Sequence, residues 1–461
     1  MKKSSPSLTF MSGVGSVTGA NFLMDVPLGF KILIDCGLIQ GEKVAMEENN
    51  KPFAYNPWEI GALMVTHAHL DHVGRIPKLV KEGFVGPIYS TPETRDLAEL
   101  VLKDAVGILS SEALQQSREP LYTIDDVSRV FPLWKTIQYH ENFSVCEDVD
   151  VYLKDAGHIL GSAMIEMSVK FNSGDRKMKI LFTGDLGNAP APILKENEPI
   201  GNVDYVVIES VYGDRNHEPK EERTAKFEKV IKKSIEKGGT LVIPAFSIDR
   251  TQVLLFELNN LVEQGRIPSV PVFVDSPMAI TATQIYKSSP NLFNDKVREQ
   301  IKNGDSIFSF PRLEYTTSTS ESNNIERIRG AKIILAGSGM SVGGRVINHE
   351  MNYLPDSRNT ILLVGYQTTG SLGRQLGDGA KKVKIRDEQI EVKAEIETLY
   401  GYSAHMDSDH LVGFISDAGS NLKKVFVAMG EPKSSMHLAQ RINDELGTKA
   451  IVPEIGTKYS L

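Results

Sequence analysis

Cysteine is scarce in this chain: Cys36 and Cys146 are the only two among 461 residues. Two are too few for a disulfide framework, so a reducing interior is the natural setting. Long apolar runs are missing as well, and no stretch approaches the roughly 18 residues of a membrane span. The first residues, MKKSSPSLTFMSG, carry two lysines but no apolar core of a signal sequence. A cytoplasmic location away from membranes is therefore expected. Positive charge is not in excess either: 51 Lys and Arg stand against 59 Asp and Glu, a net charge of −8. That balance argues against a wide basic footprint for nucleic acid. A phosphate ligand would need positive charge concentrated locally, and metal ions can supply it.

What is present reads as a globular chain long enough for two domains, with 41% apolar and 24% charged residues. Its first half consists of short strand-like runs broken by glycine, such as FKILIDCG, GALMVTH, VDVYLKDAG, KMKILFTGD and YVVIES. Several alternate apolar and polar residues, as half-buried strands do. One helical stretch, about Thr91 to Gln116, lies among them. From about residue 212 the pattern changes to buried strands alternating with amphipathic helices, which predicts a parallel α/β sheet. Near residue 398 the strand-rich pattern of the first half returns. The expected organisation is one domain built from 1–211 and 398–461, interrupted by an inserted domain over 212–397. The segment GVGSVTG (13–19) imitates a dinucleotide fingerprint, but its glycine spacing is off by one and a strand pattern follows it.

Histidine is also rare, at 10 residues, yet three of them fall within seven positions in THAHLDH (66–72). This segment follows the apolar run ALMV, so His67, His69, Asp71 and His72 lie in a loop at a strand's end. His67 and His69 can point to one centre, and Asp71 and His72 can face a second. A solvated polar loop is the plain alternative, but imidazole and carboxylate at this density are zinc-type ligands. His158 in KDAGHILGSA and Asp185 in KILFTGDLGN share the same strand-end setting. A core histidine and an ordinary turn aspartate are the bland alternatives for these two. Loops at several strand ends can bring all of them to one edge, where a carboxylate such as Asp185 could bridge two cations.

The motifs DCG at 35, HAHLDH at 67, GH at 157 and TGD at 183 resemble the metallo-β-lactamase fold. Later segments narrow the resemblance to its β-CASP branch of RNA-processing nucleases, over a span from about Phe10 to the C-terminus. IESVYGDR (208–215) resembles motif A, with Glu209 as its acid, and GYSAHMD (401–407) resembles motif B, with His405. LVIPAFSIDRTQ, VFVDSPMA, AGSGMSVGGR and LLVGYQTTGSLGRQL resemble the inserted domain of the prokaryotic members. The resemblance implies an αββα metallo-β-lactamase sandwich carrying an inserted β-CASP α/β domain with a parallel sheet flanked by helices. It implies zinc at two sites, with manganese as the alternative metal. His67, His69 and His158 would hold one ion, Asp71 and His72 the other, and Asp185 would lie between them. Asp71, Glu209 and His405 are the implied catalytic residues, and Asp35 would orient a ligand histidine from behind. His405 would hold the scissile phosphate or protonate the departing oxygen, with Glu209 orienting it. Single-stranded RNA is the implied substrate, cleaved in a cleft between the domains, and a homodimer is left open. Ser341, Arg345, Arg250 and Arg374 of the inserted domain are candidates to grip the RNA backbone.

One position departs from the family pattern. Motif C should place a histidine in a VHGE segment, where it completes the second metal site, but this sequence reads FVAMGEP with Met429 there. His437, eight residues on, falls in an apparent helix and reads as a surface residue. A metal-dependent ribonuclease is the leading expectation. The alternatives are a weakly active or inactive paralogue serving as an RNA-processing scaffold, and a DNA nuclease of the same family.

Overall fold

The computed structural model describes residues 5–41, 43–170, 176–365, 367–368 and 370–461. The chain divides into two compact units. One comprises 1–191, 195–216 and 405–461, and the other 192–194 and 217–404.

The first unit is built on two seven-stranded sheets. In spatial order, one contains Lys458–Ser460, Ser7–Ser12, Asn21–Asp25, Lys31–Ile34, Ile60–Met64, Ile88–Ser90 and Trp134–Thr136. The other contains Ala450–Ile451, Lys424–Val427, Tyr205–Ile208, Met178–Phe182, Ala163–Val169, Val149–Asp155 and Asn142–Cys146. Each sheet has a parallel half and an antiparallel half. The period-two alternation of the sequence sorts side chains between faces. In Met178–Phe182, Ile180 and Phe182 point into the core between the sheets, beside Phe10, Phe22, Ile34 and Met64. Leu181 points to the other side, where it joins Leu411 and Ile415 of the helix Ser408–Ser416 and Leu438 and Ile442 of the helix Pro432–Leu446. Apolar residues on both faces of the strand thus require a helical layer outside the sheets. The helix Pro92–Gln115 starts on the hydroxyl of Thr91, which accepts from the Thr94 amide.

This strand arrangement decides where the chemistry falls. Asp35 and His67 follow neighbouring parallel strands of the first sheet, and Asp185, Glu209 and Met429 follow three neighbouring parallel strands of the second. His158 lies in the turn leading into Ala163–Val169, which runs antiparallel to Met178–Phe182 and so begins at the same edge.

The second unit has one six-stranded sheet, all parallel. Its order is Leu313–Tyr315, Val272–Asp275, Lys332–Ala336, Thr240–Pro244, Thr360–Val364 and Glu395–Leu399. The four central strands are buried along their whole length, as their unbroken apolar runs require of a sheet covered on both faces. Glu395–Leu399 pairs with Thr360–Val364, so this unit runs past residue 397 to Ala404. No helix among the described residues is long and apolar enough to cross a membrane.

Candidate metal centre

Asp35 ends its strand in the left-handed region, with φ 57°, and its carboxylate turns back beneath the histidine loop. It accepts hydrogen bonds from the Thr66 amide (2.8 Å), the Thr66 hydroxyl (2.8 Å) and His72 Nδ1 (2.7 Å). Because the Thr66 proton goes to Asp35, its oxygen accepts from His67 Nδ1 at 3.1 Å. These bonds fix the tautomer of His67 and turn Nε2 of His67 and of His72 toward the cluster. Gly37 is required for the same approach: a Cβ there would lie 1.5 Å from the Asp71 carbonyl oxygen. The His158 turn is held by the Ser162 hydroxyl, which accepts from the His158 amide at 3.0 Å. The hydroxyls of Thr91 and Thr94 both donate to the Gly161 carbonyl beside it.

Four donor atoms meet in front of these supports. His69 Nδ1 lies 3.1 Å from His67 Nε2 and 3.2 Å from His158 Nε2. Asp185 Oδ2 lies 3.4 Å from His67 Nε2 and 3.6 Å from His158 Nε2. Burial lowers the pKa of all three histidines, so they are neutral and carry lone pairs. One proton on His69 Nδ1 can serve only one of its two neighbours, so protein hydrogen bonds alone cannot satisfy this cluster. Tetrahedral ligands at zinc-type bond lengths stand roughly 3.3 Å apart, which is the spacing seen here. These four residues fit a divalent cation.

A second set shares Asp185. Its Oδ1 faces His72 Nε2 at 3.4 Å, and Asp71 Oδ2 is 3.8 Å from the same nitrogen. His72 Nε2 and Asp185 Oδ1 are both buried without a hydrogen-bond partner. Buried polar atoms cost free energy unless satisfied, and a shared cation would satisfy both. Burial disfavours a charged His72, but Asp185, Asp35 and Asp71 outweigh it and raise its pKa well above the usual value. Burial likewise pushes Asp185 up, yet His72 and His67 hold it well below the carboxylate range. Three side chains therefore offer donors in this set.

The position expected to carry the motif C histidine is occupied by a buried thioether. Met429 is 3% exposed and belongs to the core between the sheets. Its sulfur points at Gly13, where a Cβ would lie 2.8 Å away. It lines a small cavity with His72, Glu209, Phe22 and Phe182. His437 is exposed on its helix and bonds the Gly213 carbonyl, and it joins none of the donor groups found among the described residues.

Glu209 and His405 form a third group with Asp185. Glu209 accepts from the Leu186 amide at 2.6 Å, and its other oxygen is 3.2 Å from His405 Nδ1. His405 Nδ1 is 3.9 Å from Asp185 Oδ2, and its ring centre is 4.7 Å from that of His158. Burial works against a charged His405, but Glu209 prevails and raises its pKa to about 9.

The four phosphate candidates lie in the second unit, where internal partners occupy them. Arg345 pairs with Asp275 at 2.7 Å and donates to the Thr316 and Thr317 carbonyls. Ser341 is buried and donates to Glu350 at 2.5 Å. These two bonds hold the 338–345 turn together. Arg250 opens the helix Arg250–Glu263 and is buried, while Arg374 pairs with Asp378 on the surface. Sequence reasoning passed over Thr66 and Ser162, although a hydroxyl residue directly before His67 and another four positions after His158 were signals open to it.

Comparison with known proteins gives three family matches along the chain. A metallo-beta-lactamase superfamily domain covers 23–178, a Beta-Casp domain 251–376, and a Zn-dependent metallo-hydrolase RNA specificity domain 389–453. Ribonuclease TTHA0252 of Thermus thermophilus is 34% identical, over 87% of this chain and 88% of its own length. Transcription termination factor FttA of Methanosarcina mazei is 32% identical over 95% of this chain and 69% of its own. A solved structure of a protein of unknown function from Enterococcus faecalis V583 superposes with a TM-score of 0.54. It covers 99% of this chain and 100% of that one at 12% identity, a likeness of fold alone.

Proposed function

Because this chain belongs to the β-CASP branch of the metallo-β-lactamase superfamily, we propose that it is a metal-dependent hydrolase of RNA phosphodiester bonds. The observation that carries this reading is the Asp185 carboxylate, whose two oxygens face two separate donor sets 3.4 Å from His67 and His72. His67, His69 and His158 would hold one cation and Asp71 with His72 the other, zinc being the metal that this chemistry favours and manganese the alternative. When bound, such ions acidify a water and neutralise the charge on the attacked phosphate.

The chain's own side chains supply the rest. Asp35 and Thr66 orient His67 and His72. His405, kept protonated by Glu209, donates its proton to the departing oxygen. Single-stranded RNA is the substrate form this reading takes, as the motif resemblance implies. The RNA-specificity match over 389–453 and the ribonuclease relative support RNA over DNA.

Met429 favours a second reading, that of a weakly active paralogue. One experiment separates the two: cleavage of single-stranded RNA and of DNA by wild type and by Asp185→Asn, with added zinc or manganese. RNA cleavage lost in the variant supports the enzyme. No cleavage by wild type under either metal supports the paralogue, and cleavage of DNA alone overturns the choice of substrate.

A further inference from the structure

Two exposed apolar side chains of the second unit lie in loops at the carboxyl ends of adjacent strands. Among its described residues, the large ones left exposed are Phe246 at 43% and Val342 at 64%. Phe246 follows the strand Thr240–Pro244 and Val342 lies in the loop after Lys332–Ala336, and these two strands are adjacent and parallel. From the first the chain crosses toward Val272–Asp275, and from the second it crosses the opposite way, toward Thr360–Val364. This is the topological switch point of the sheet, where open α/β sheets bind ligands at the carboxyl ends of their strands.

The rim there is built and rigid. The Phe246 carbonyl accepts from both the amide and the hydroxyl of Thr251. The aromatic ring lies against Gly339, where a Cβ would come within 2.7 Å of it. The glycine-rich loop is tied down in turn, by Gln367 donating to the Gly339 carbonyl and by Ser338 accepting from the Val342 amide. Beside Gly337 the hydroxyls of Ser247 and Ser276 face each other at 3.1 Å. An exposed aromatic ring seated against a tied-down glycine loop that also carries the exposed Val342 matches an unpaired nucleobase better than it matches a phosphate. No cationic side chain is needed for such a contact, since every base has a π face.

We propose that one unpaired base of an RNA strand stacks on Phe246, with Val342 packing at its edge, and that this position is read by shape rather than by charge. The inference rests on the RNA reading given above. The test measures binding of the full chain to fluorescent, phosphorothioate-linked single-stranded RNA oligomers, each carrying an abasic nucleotide at a different position. Phe246→Ala is expected to weaken binding by roughly 5- to 150-fold, the range for loss of one stacked base. Phe246→Trp should restore it, while Phe246→Leu should not. In wild type one abasic position should weaken binding by a similar factor, and in Phe246→Ala that sensitivity should vanish, because the two changes remove the same contact. Equal dissociation constants for wild type and Phe246→Ala, or full recovery with Leu, would overturn the stacking site while leaving the RNA reading intact. A wild type that binds no single-stranded RNA would overturn the RNA reading itself.

Discussion

The two donor sets around Asp185 are built from the same kinds of residue but are not equivalent. The set with His67, His69 and His158 has four donors all within 4.8 Å of one another, neighbouring ones 3.1 to 3.6 Å apart, and its histidines are neutral. The set with Asp71 and His72 has three, one of them a histidine whose pKa three carboxylates raise. Beside His72 the cavity is lined by Met429, Phe22 and Phe182 together with Glu209 and Thr66. A cation entering the first set displaces no proton from its imidazoles, whereas one entering the second must displace the proton that the carboxylates hold on His72. A thioether turned toward Gly13 offers nothing in return. The difference teaches that a shared carboxylate does not make two sites alike: unequal affinity follows from the number of donors and their charge.

The largest expected effect comes from removing what the two sets share. Asp185→Asn should abolish RNA hydrolysis and lower the content of both metals, with the far-ultraviolet circular dichroism spectrum retained. Wild-type cleavage by that variant would end the metallohydrolase account. Next in size is His405→Ala, which should slow cleavage by roughly 10²- to 10⁴-fold, the usual contribution of a positioned acid, while leaving metal content at the wild-type level. Metal depletion in that variant would make His405 a ligand and add a donor to the comparison. A smaller change is expected from Thr66→Val, because Thr66 fixes His67 and steadies Asp35 but supplies no donor atom itself. Metal affinity should fall roughly 10- to 100-fold, as it does when an outer-shell partner is lost. Titration with a chelator would measure this, and an unchanged affinity would show that Asp35 alone orients the histidines.

Much of this site was legible in the sequence, for a physical reason. Metal ligands must be particular residue types at strand ends, so HAHLDH, His158 and Asp185 declare themselves by chemistry, and the structure brings strand ends of the two sheets together to group them. Strand periodicity was equally plain in runs such as KILF and TLVIP, where burial on both faces requires apolar residues throughout. Pairing between distant side chains was not legible. Nothing in the sequence near Arg345 signals Asp275, 70 residues before it in the chain, which occupies its guanidinium. Nothing near Ser341 reveals that its hydroxyl bonds Glu350. A glycine-rich turn with a serine and an arginine looks the same whether it grips a phosphate or only itself. Phe246 gave no signal either, since a lone aromatic residue after a buried strand is ordinarily core.

The inequality of the two sets is the central claim, and metal stoichiometry tests it most directly. After exhaustive dialysis, wild-type protein analysed for metal should hold nearer one equivalent than two, with RNA cleavage rising when manganese or zinc is restored. Met429→His, which places an imidazole at the motif C position, should raise both occupancy and cleavage. Two tightly held equivalents in the wild type, unchanged by that substitution, would contradict the account.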